Sequence, residues 1–402
     1  MHVYDIRFHS LNGQGELSAM IRPARHHDCA KRVWFRFPAS EIPPNPGDVM
    51  LCALLVPCMQ AGEDLDIAAP VSPGLMAAVP GIQDRMLAWY PSFRHARVRA
   101  PAGEITWNGN PRTAACFSGG VDSIYTALDP DLEADALVLV HGFENPAHRL
   151  DLLRTTRDAV EPAARFLGKE VMLVSTNLRS LADRGQPRWG PRFNGRFFGF
   201  CWMGSFLAAV GHCLKGRFNR FVIPASMSLD ALHPYGSHPH LDPLWSSEGL
   251  RIIHHGAGAD RIRKIRHIVE TSVEMVQWMQ VCESNPPGET NCGTCDKCLR
   301  TRLALHLAGA GRDFPTSHGP PRWSRWPRVA DPARWRSEYA VLRQWSLENR
   351  EKEAAAALRA ILFPRPGWRD LVHRGRNLAK SLVWRWTPSM AERLRGRRSR
   401  GW

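Results

Sequence analysis

Two short segments of this chain carry residues whose types and spacing could do chemistry. The first is a glycine-rich loop that reads Ser118-Gly119-Gly120-Val121-Asp122-Ser123. Adjacent glycines let backbone N–H groups turn inward without interference from a Cβ atom, as phosphate binding requires. The hydroxyls of Ser118 and Ser123 can donate to phosphate oxygens, and Asp122 can hold the Mg²⁺ that accompanies a nucleotide, directly or through water. The segment therefore predicts a phosphate-binding loop.

The second segment is a cysteine cluster with the spacing Cys282-x9-Cys292-x2-Cys295-x2-Cys298. Four thiolates with two short spacings can close a tetrahedral site around Zn²⁺. A full shell of four sulfurs leaves no open coordination position, so such a zinc ion is structural. The same ligands can hold an iron–sulfur cluster, and cysteines that bind no metal are the third alternative.

The surroundings of the glycine-rich loop support the phosphate prediction. Residues 113–117 read as a short apolar strand and a helix begins near Ile124, so the positive end of a helix faces the loop. With each residue type at about 5–7% of a protein, five fixed positions match by chance in under ~0.1% of chains this long. The pattern GxxxxGK[ST] is absent, which disfavours a kinase or GTPase of that type.

Ser-Gly-Gly-Val-Asp-Ser after an apolar strand resembles the SGGxDS signature of the PP-loop, or N-type, ATP pyrophosphatases. The resemblance implies that ATP is cleaved between its α and β phosphates, with AMP transferred to a carboxylate or carbonyl-type oxygen and pyrophosphate released. A nucleophile (ammonia, an amine or sulfur) then displaces AMP. On this resemblance the catalytic residues are Ser118, Asp122 and Ser123, and the whole loop binds ATP with Mg²⁺.

The loop together with the cysteine cluster resembles the 7-cyano-7-deazaguanine synthases, which are zinc-containing members of that family. The likeness covers residues 113–309, about half of the chain. It implies further nucleotide contacts from His141 and Gly142, at the family's Tyr-Gly-Gln turn, and from Arg192, in its Pro-Gly-Arg-Asn segment. Lys264 resembles the lysine of the family's next helix. Residues 226–239 differ from the family's substrate loop, so the deazaguanine substrate is not carried over.

The elements that must position these residues alternate between strand and helix from residue 109 to residue 310. Such alternation predicts an α/β fold with a parallel sheet and helices on both faces, and the resemblance makes it adenine nucleotide alpha hydrolase-like. Ligands bind at the carboxyl ends of strands in such sheets. The predicted strands are 113–117, 136–140, 171–175, 220–224 and 250–254. The predicted helices are 150–167, 194–214 and 260–279.

The rest of the chain flanks this pattern. Residues 1–108 read as an accessory α+β region with strands at 32–37 and 95–99 and helices at 49–61 and 73–89. Residues 311–330 read as a linker, and residues 331–402 as a helical extension, helical over 331–362, with a basic tail. Eleven basic residues against two acidic ones over 365–402 supply +9 of the net charge of +15, so the remainder is only mildly basic.

The loop at residues 226–242 is a candidate for substrate contact because it follows a strand and holds three histidines, a tyrosine and two aspartates. Its polar members are Asp230, His233, Tyr235, His238, His240 and Asp242. The neighbouring pair His254–His255 is expected to be structural. Two prolines interrupt any helical ligand spacing within the loop, which disfavours a second metal site there.

Composition and targeting signals place further bounds on function. A hydrophobic fraction of 44% and a charged fraction of 23% are those of a globular protein. Residues 1–10 do not read as a signal peptide and residues 197–214 read as a buried helix, so we expect a cytoplasmic protein without a transmembrane segment. Its expected partners are ATP and a small-molecule acceptor, and a homodimer is plausible.

The basic tail leaves two alternatives open. Basic residues with interleaved tryptophans suit RNA or a membrane surface, so an RNA-modifying PP-loop enzyme, such as a tRNA thiolase or a lysidine-type ligase, is one alternative. Apart from the cysteine cluster the sequence has no CxxC pair, so the catalytic CxxC arrangement of thiolases is missing. A non-catalytic nucleotide-binding protein is the other alternative, and the intact Ser118, Asp122 and Ser123 disfavour it.

Overall fold

The computed structural model describes residues 1–24, 30–39, 42–105, 111–143, 146–182, 197–284, 286 and 288–364. The chain divides into two compact units, Met1–Pro321 and Arg322–Trp402. Arg192 and the basic tail lie outside the described residues.

Strands and helices alternate through most of the first unit. Its strands are β1 (His2–Leu11), β2 (Gln14–Arg22), β3 (Lys31–Pro38), β4 (Leu65–Ile67), β5 (Val98–Arg99), β6 (Thr113–Cys116), β7 (Ala136–His141), β8 (Glu170–Thr176), β9 (Arg220–Pro224) and β10 (Arg251–His255). Its helices are α1 (Gly47–Ala61), α2 (Pro73–Trp89), α3 (Val121–Ala127), α4 (Leu150–Phe166), α5 (Met203–Cys213), α6 (Arg261–Thr271) and α7 (Asp296–Leu307). Each predicted strand from residue 113 onward is present within one or two residues of its expected bounds.

These strands form one sheet in the order β10-β9-β6-β7-β8-β3-β2-β1-β4-β5. The five strands from β10 to β8 are parallel, β8, β3, β2 and β1 pair antiparallel, and β1, β4 and β5 are again parallel. The predicted α/β fold is therefore confirmed as a mostly parallel sheet with helices. The finer assignment to the adenine nucleotide alpha hydrolase-like class stays a prediction.

Residues 1–108 belong to the same unit as the predicted nucleotide domain. β3 pairs with β8, with Phe35 opposite Thr176 and Arg36 opposite Ser175, so the N-terminal strands extend the sheet. Without β3, the edge of β8 would present unpaired N–H and C=O groups. The expected boundary near residue 108 therefore does not coincide with a boundary between compact units.

Two predicted helices of the first unit differ from the observed ones. Helix α6 ends at Thr271 instead of continuing to residue 279, because Ser272 adopts an extended φ of −161°, and a 3₁₀-helix (Val273–Trp278) follows. The stretch expected to be helical over 194–214 contains a π-helical turn (Phe198–Trp202) before α5, and its first three residues lie outside the described range. Both segments pack in the first unit. Among the described residues, no helix combines the length and apolar character needed to cross a membrane.

The second unit begins inside the expected linker. Residues Trp323–Arg328 form a 3₁₀-helix, which is followed by α8 (Pro332–Glu348) and α9 (Lys352–Leu362). The single helix expected over 331–362 is broken because Arg350 has a φ of +61°, which a continuous α-helix does not allow. The fully buried Trp326 packs edge-on against Tyr339 in the centre of this unit.

Candidate functional site

The glycine-rich loop joins β6 to α3 at the carboxyl edge of the parallel strands. The neighbouring strands β7, β9 and β10 end at the same edge, because all of them run parallel to β6. Their last residues are His141, Pro224 and His255. The sheet therefore presents the predicted loop where ligands of α/β proteins bind.

The two serines of the loop have different surroundings. Ser118 is exposed, whereas Ser123 is 5% exposed. The hydroxyl of Ser123 donates to the Gly120 carbonyl at 3.0 Å and accepts from the Ser118 amide at 3.3 Å, so it holds the loop closed. Gly119 has a φ of +74°, a conformation that a residue with a Cβ atom adopts only at a cost. Ser118 is the serine that faces outward, and Ser123 shapes the loop.

The backbone at Trp278 and Gln280, which is distant in sequence, packs against the glycine-rich loop. The amide of Gln280 donates to the Gly119 carbonyl at 2.8 Å, and a Cβ atom on Gly119 would lie 3.3 Å from the Trp278 carbonyl oxygen. The side-chain amide of Gln280 donates in turn to the Thr156 carbonyl on α4 at 3.1 Å. A larger residue at position 119 would press on this backbone, which adds to the cost of the positive φ there.

Asp122 and Lys264, both predicted site residues, are in direct contact. The Lys264 ammonium lies 2.8 Å from Asp122 Oδ1 and also donates to the Ala225 carbonyl at 2.5 Å, and its side chain is 2% exposed. Arg261 Nη1 lies 3.9 Å from Asp122 Oδ2. Burial acts to raise the pKa of Asp122, but Lys264, Arg261 and the more distant Lys297 outweigh it, so that pKa lies below its ordinary value. The carboxyl group is therefore ionised at neutral pH.

The contact with Lys264 changes the expected role of Asp122. One carboxylate oxygen already accepts from an ammonium, and the side chain remains 26% exposed. A magnesium ion would bind through the exposed part of this carboxylate. Its role as a magnesium ligand stays a prediction.

The turn after β7 contains His141 and Gly142. Gly142 has a φ of +91°, and a Cβ atom there would lie 1.8 Å from the Thr176 carbonyl oxygen, so only glycine fits. His141 is buried, and its Nε2 has no hydrogen-bond partner among the described residues. Burial lowers the pKa of His141, although contact with the Arg149 backbone opposes the shift. A neutral imidazole therefore lies at the carboxyl edge, one strand away from the glycine-rich loop.

The cysteine cluster has the geometry of a metal site. The four sulfur atoms of Cys282, Cys292, Cys295 and Cys298 all lie within 4.8 Å of one another. Cys292 and Cys298 have their sulfurs 4.0 Å apart. A tetrahedral ion with metal–sulfur bonds of about 2.3 Å needs sulfurs about 3.8 Å apart, so the cluster fits a metal ion after small adjustments.

Hydrogen bonds around the cluster suit thiolates. The Cys292 amide donates to Cys282 Sγ at 3.4 Å, and the Cys295 amide donates to Cys292 Sγ at 3.3 Å. Such donors offset negative charge on ligating sulfurs. Two arginines of α7 lie near the cluster: Arg302 donates to the Gly293 carbonyl at 3.4 Å, whereas the buried Arg300 pairs with Asp296 at 2.9 Å.

The loop at residues 226–242 divides into buried and accessible parts. Asp242 is completely buried and accepts from Ser237 Oγ at 2.7 Å, while His254 Nδ1 lies 2.8 Å from the same oxygen. His238 is 5% exposed, and burial, followed by the influence of His240, lowers its pKa to about 4. Asp242 and His238 are therefore held inside the protein, and substrate contact by this loop stays a prediction. Among the loop's aromatic and histidine members, those reaching solvent are His233, Tyr235 and His240.

The histidine pair that ends β10 is hydrogen-bonded, as expected of structural residues. His255 Nδ1 lies 3.1 Å from Thr126 Oγ1, and its Nε2 lies 2.8 Å from Asp129 Oδ2. The Tyr125 ring stacks near His255, with the ring centroids 6.2 Å apart. These contacts fasten α3, and with it the glycine-rich loop, to the end of β10.

Sequence reasoning missed Arg261 and the influence of Lys297 on Asp122. A signal for Arg261 was present, because Arg261 and Lys264 are three residues apart and share one face of α6. Asp260 marks the start of that helix, since its side chain accepts from the Arg263 amide at 2.8 Å. Lys297 gave no such signal, because its proximity to Asp122 depends on how α6 and α7 pack.

A surface cavity of about 510 Å³ lies at the opposite edge of the sheet. Asp135 and Lys169, which directly precede β7 and β8, contribute to its lining. Its position at the amino ends of these strands separates it from the glycine-rich loop. It therefore has no part in the site described above.

No family model, curated protein or solved structure matches this chain significantly. Its function is therefore inferred from the loop at the carboxyl edge, the cations around Asp122 and the cysteine cluster. The loop and the cations together suit a negatively charged ligand.

Proposed function

We propose that this chain is an ATP-dependent ligase that forms AMP and pyrophosphate, similar to the 7-cyano-7-deazaguanine synthases. ATP binds with Mg²⁺ at the glycine-rich loop, and an oxygen of a small-molecule carboxylate, or a carbonyl-type oxygen, becomes adenylated. The product is an amide or, after a further round, a nitrile. The observation that carries the proposal is the glycine-rich loop between β6 and α3, with Asp122 held against Lys264 at the carboxyl edge.

The reaction has two steps. In the first, an acceptor oxygen attacks the α-phosphorus of ATP, the bond from that phosphorus to the bridging oxygen breaks, and pyrophosphate leaves. In the second, a nitrogen nucleophile attacks the activated carbon, the carbon–oxygen bond to AMP breaks, and AMP leaves. The backbone amides of the loop, the N-terminus of α3 and the Lys264 ammonium supply fixed positive potential for the departing charge.

In this proposal the cysteine cluster holds Zn²⁺ as a structural ion. Cys282, Cys292, Cys295 and Cys298 would fill all four positions of a tetrahedral zinc ion, so substrate has no coordination site. Zinc would cross-link the segment between α6 and α7, which contains Cys282 and Cys292, to the start of α7. In this proposal the metal ion stabilises the fold, and the residues of the glycine-rich loop take part in the reaction.

The proposal is tested by incubating purified protein with ATP, Mg²⁺ and fractionated metabolites, and by measuring pyrophosphate and AMP. We expect equal amounts of both products with one metabolite fraction, whereas turnover to ADP would contradict the mechanism. A parallel reaction with an RNA fraction distinguishes the RNA-modifying alternative. The variant Ser118→Ala should lower pyrophosphate release about tenfold through loss of one phosphate hydrogen bond. Because Ser118 is exposed, the fold should be unaffected.

A further inference from the structure

Positive charge from two different helices converges on Asp122. Lys264 contacts the carboxylate at 2.8 Å and Arg261 lies 3.9 Å from it, both on α6. Lys297, on α7, is close enough to help lower the pKa of Asp122. Glu283 lies 4.0 Å from Lys297 and is about half exposed. Even with Glu283 counted, the group keeps an excess of positive charge beside a glycine-rich loop.

Thr301 on α7 holds the guanidinium of Arg261. Arg261 Nη2 donates to Thr301 Oγ1 at 3.0 Å, whereas the 3.9 Å between Nη1 and Asp122 Oδ2 exceeds a hydrogen bond. The Thr301 hydroxyl itself donates to the Lys297 carbonyl at 2.8 Å. The hydrogen bond to Thr301 therefore ties the Arg261 guanidinium to the first two turns of α7.

The first turns of α7 directly follow, and in part contain, the cysteine cluster. Cys295 is the residue before the first turn of α7 and Cys298 lies within it, so two of the four sulfurs flank Lys297. A metal ion bound by four thiolates would fix this end of the helix, which otherwise begins without a side-chain cap.

We propose that Arg261 binds the phosphates of the nucleotide, and that the metal-loaded cysteine cluster sets its position through α7. This inference rests on the proposed function, because it assigns a residue to the same nucleotide site. The ligand class is a magnesium-bound polyphosphate, for which a planar guanidinium is a suited donor.

The test is isothermal titration calorimetry of inorganic pyrophosphate with Mg²⁺, and of ATP with Mg²⁺, into the full chain. We expect Arg261→Gln to weaken pyrophosphate binding about tenfold, since it removes one charge-assisted contact. Thr301→Val should weaken it severalfold while metal content and melting temperature stay near those of the wild type. Removal of the metal with a chelator should weaken binding by at least as much as Thr301→Val.

The matched control is Arg263→Gln. Arg263 lies on the same helix but is two-thirds exposed and pairs with Asp260, so its loss should leave the dissociation constant unchanged. Circular dichroism checks the fold of every variant. If the chelated chain unfolds, Thr301→Val decides the coupling, because it leaves the cysteines in place.

The outcomes separate the two proposals. Unchanged pyrophosphate affinity in Arg261→Gln, with Ser118→Ala weakened, would overturn the assignment of Arg261 and leave the proposed function standing. Wild-type affinity in Thr301→Val would overturn the coupling through α7. A wild-type chain that binds neither pyrophosphate nor ATP would instead refute the proposed function.

Discussion

Gly142 follows β7 and Gly168 follows α4. Both glycines have a positive φ, but their surroundings differ. A Cβ atom on Gly142 would lie 1.8 Å from the Thr176 carbonyl oxygen, whereas nothing lies within 4 Å of one on Gly168. A single residue thus decides how closely the ends of β7 and β8 approach. His141, a predicted nucleotide contact, is positioned by the same turn.

Replacement of these two glycines by alanine should therefore have unequal effects. Gly168→Ala carries only the left-handed backbone strain, about 1–2 kcal/mol. Gly142→Ala adds a backbone clash and should destabilise the chain by more than about 3 kcal/mol. Urea denaturation of both variants measures the difference. Equal losses would show that the turn relaxes around the added methyl group.

A second prediction at the residue scale concerns His238 and the pH dependence of the free energy of unfolding. Its pKa is lowered from 6.5 to about 4 by burial first, then by His240, His254 and Arg85, against the opposing influence of Asp242. Below pH 6.5 the unfolded chain therefore binds a proton that the folded chain does not. Its contribution to stability is complete above about pH 6.5 and is lost as pH falls towards 4, by about 3 kcal/mol in full.

The measurement is the free energy of unfolding at pH 7.5 and at pH 5. His238→Gln should lose less stability between these values than the wild type, because one titrating group is gone. His233→Gln, at an exposed position of the same loop, should behave as the wild type. The same loss in His238→Gln as in the wild type would remove this histidine as a cause.

At the scale of elements, a buried polar network locks α1 and the start of α2 to the end of α5. The Lys215 ammonium lies 3.1 Å from Asp48 Oδ2 and donates to Ser72 Oγ at 2.8 Å, and Ser72 Oγ donates to Asp48 Oδ2 at 2.6 Å. His212 lies 3.6 Å from the same carboxylate. Asp48, Ser72 and His212 are completely buried.

Breaking this network from one side should be costly. Lys215→Met leaves the Asp48 carboxylate without its ammonium partner and should destabilise the chain by about 3–5 kcal/mol. The double variant Asp48→Asn/Lys215→Met removes both charges and should recover part of that loss. Denaturant titrations of the single and double variants give the coupling energy. A double variant no more stable than Lys215→Met would show that the ionic interaction is not the cause.

For the whole molecule, the N-terminal hundred residues belong to the core. β3 covers the edge of β8, α1 is buried along nearly all of its length, and the Trp202 indole N–H donates to the Ala53 carbonyl at 2.8 Å. A region that shows no chemical motif in the sequence thus completes the sheet on which the glycine-rich loop is built.

Two truncations test this organisation. A chain of residues 109–402 should fail to melt cooperatively, because it exposes the edge of β8 and the apolar surface that α1 covers. A chain of residues 1–321, which keeps the first compact unit whole, should melt cooperatively. Circular dichroism melting of both chains is the measurement. Cooperative melting of 109–402 would return residues 1–108 to the role of a separate accessory domain.

Local features of this protein were determined by the sequence alone. The strand–loop–helix around Gly119 and Gly120 and the convergence of four cysteines within seventeen residues depend on neighbours in the chain, and the structure contains both. The alternation of strand and helix predicted the α/β class for the same reason, since hydrophobic periodicity is a local property.

Contacts between distant residues were decided only by the tertiary structure. Lys264 reaches Asp122 across 142 residues, and the Trp34 amide meets the Asn177 side chain across 143. Such pairs depend on which strand lies beside which and on how helices pack, and one sequence contains no local signal for either. The sequence predicted Lys264 as a site residue, but its contact with Asp122 and the place of residues 1–108 in the sheet became evident only in the folded chain.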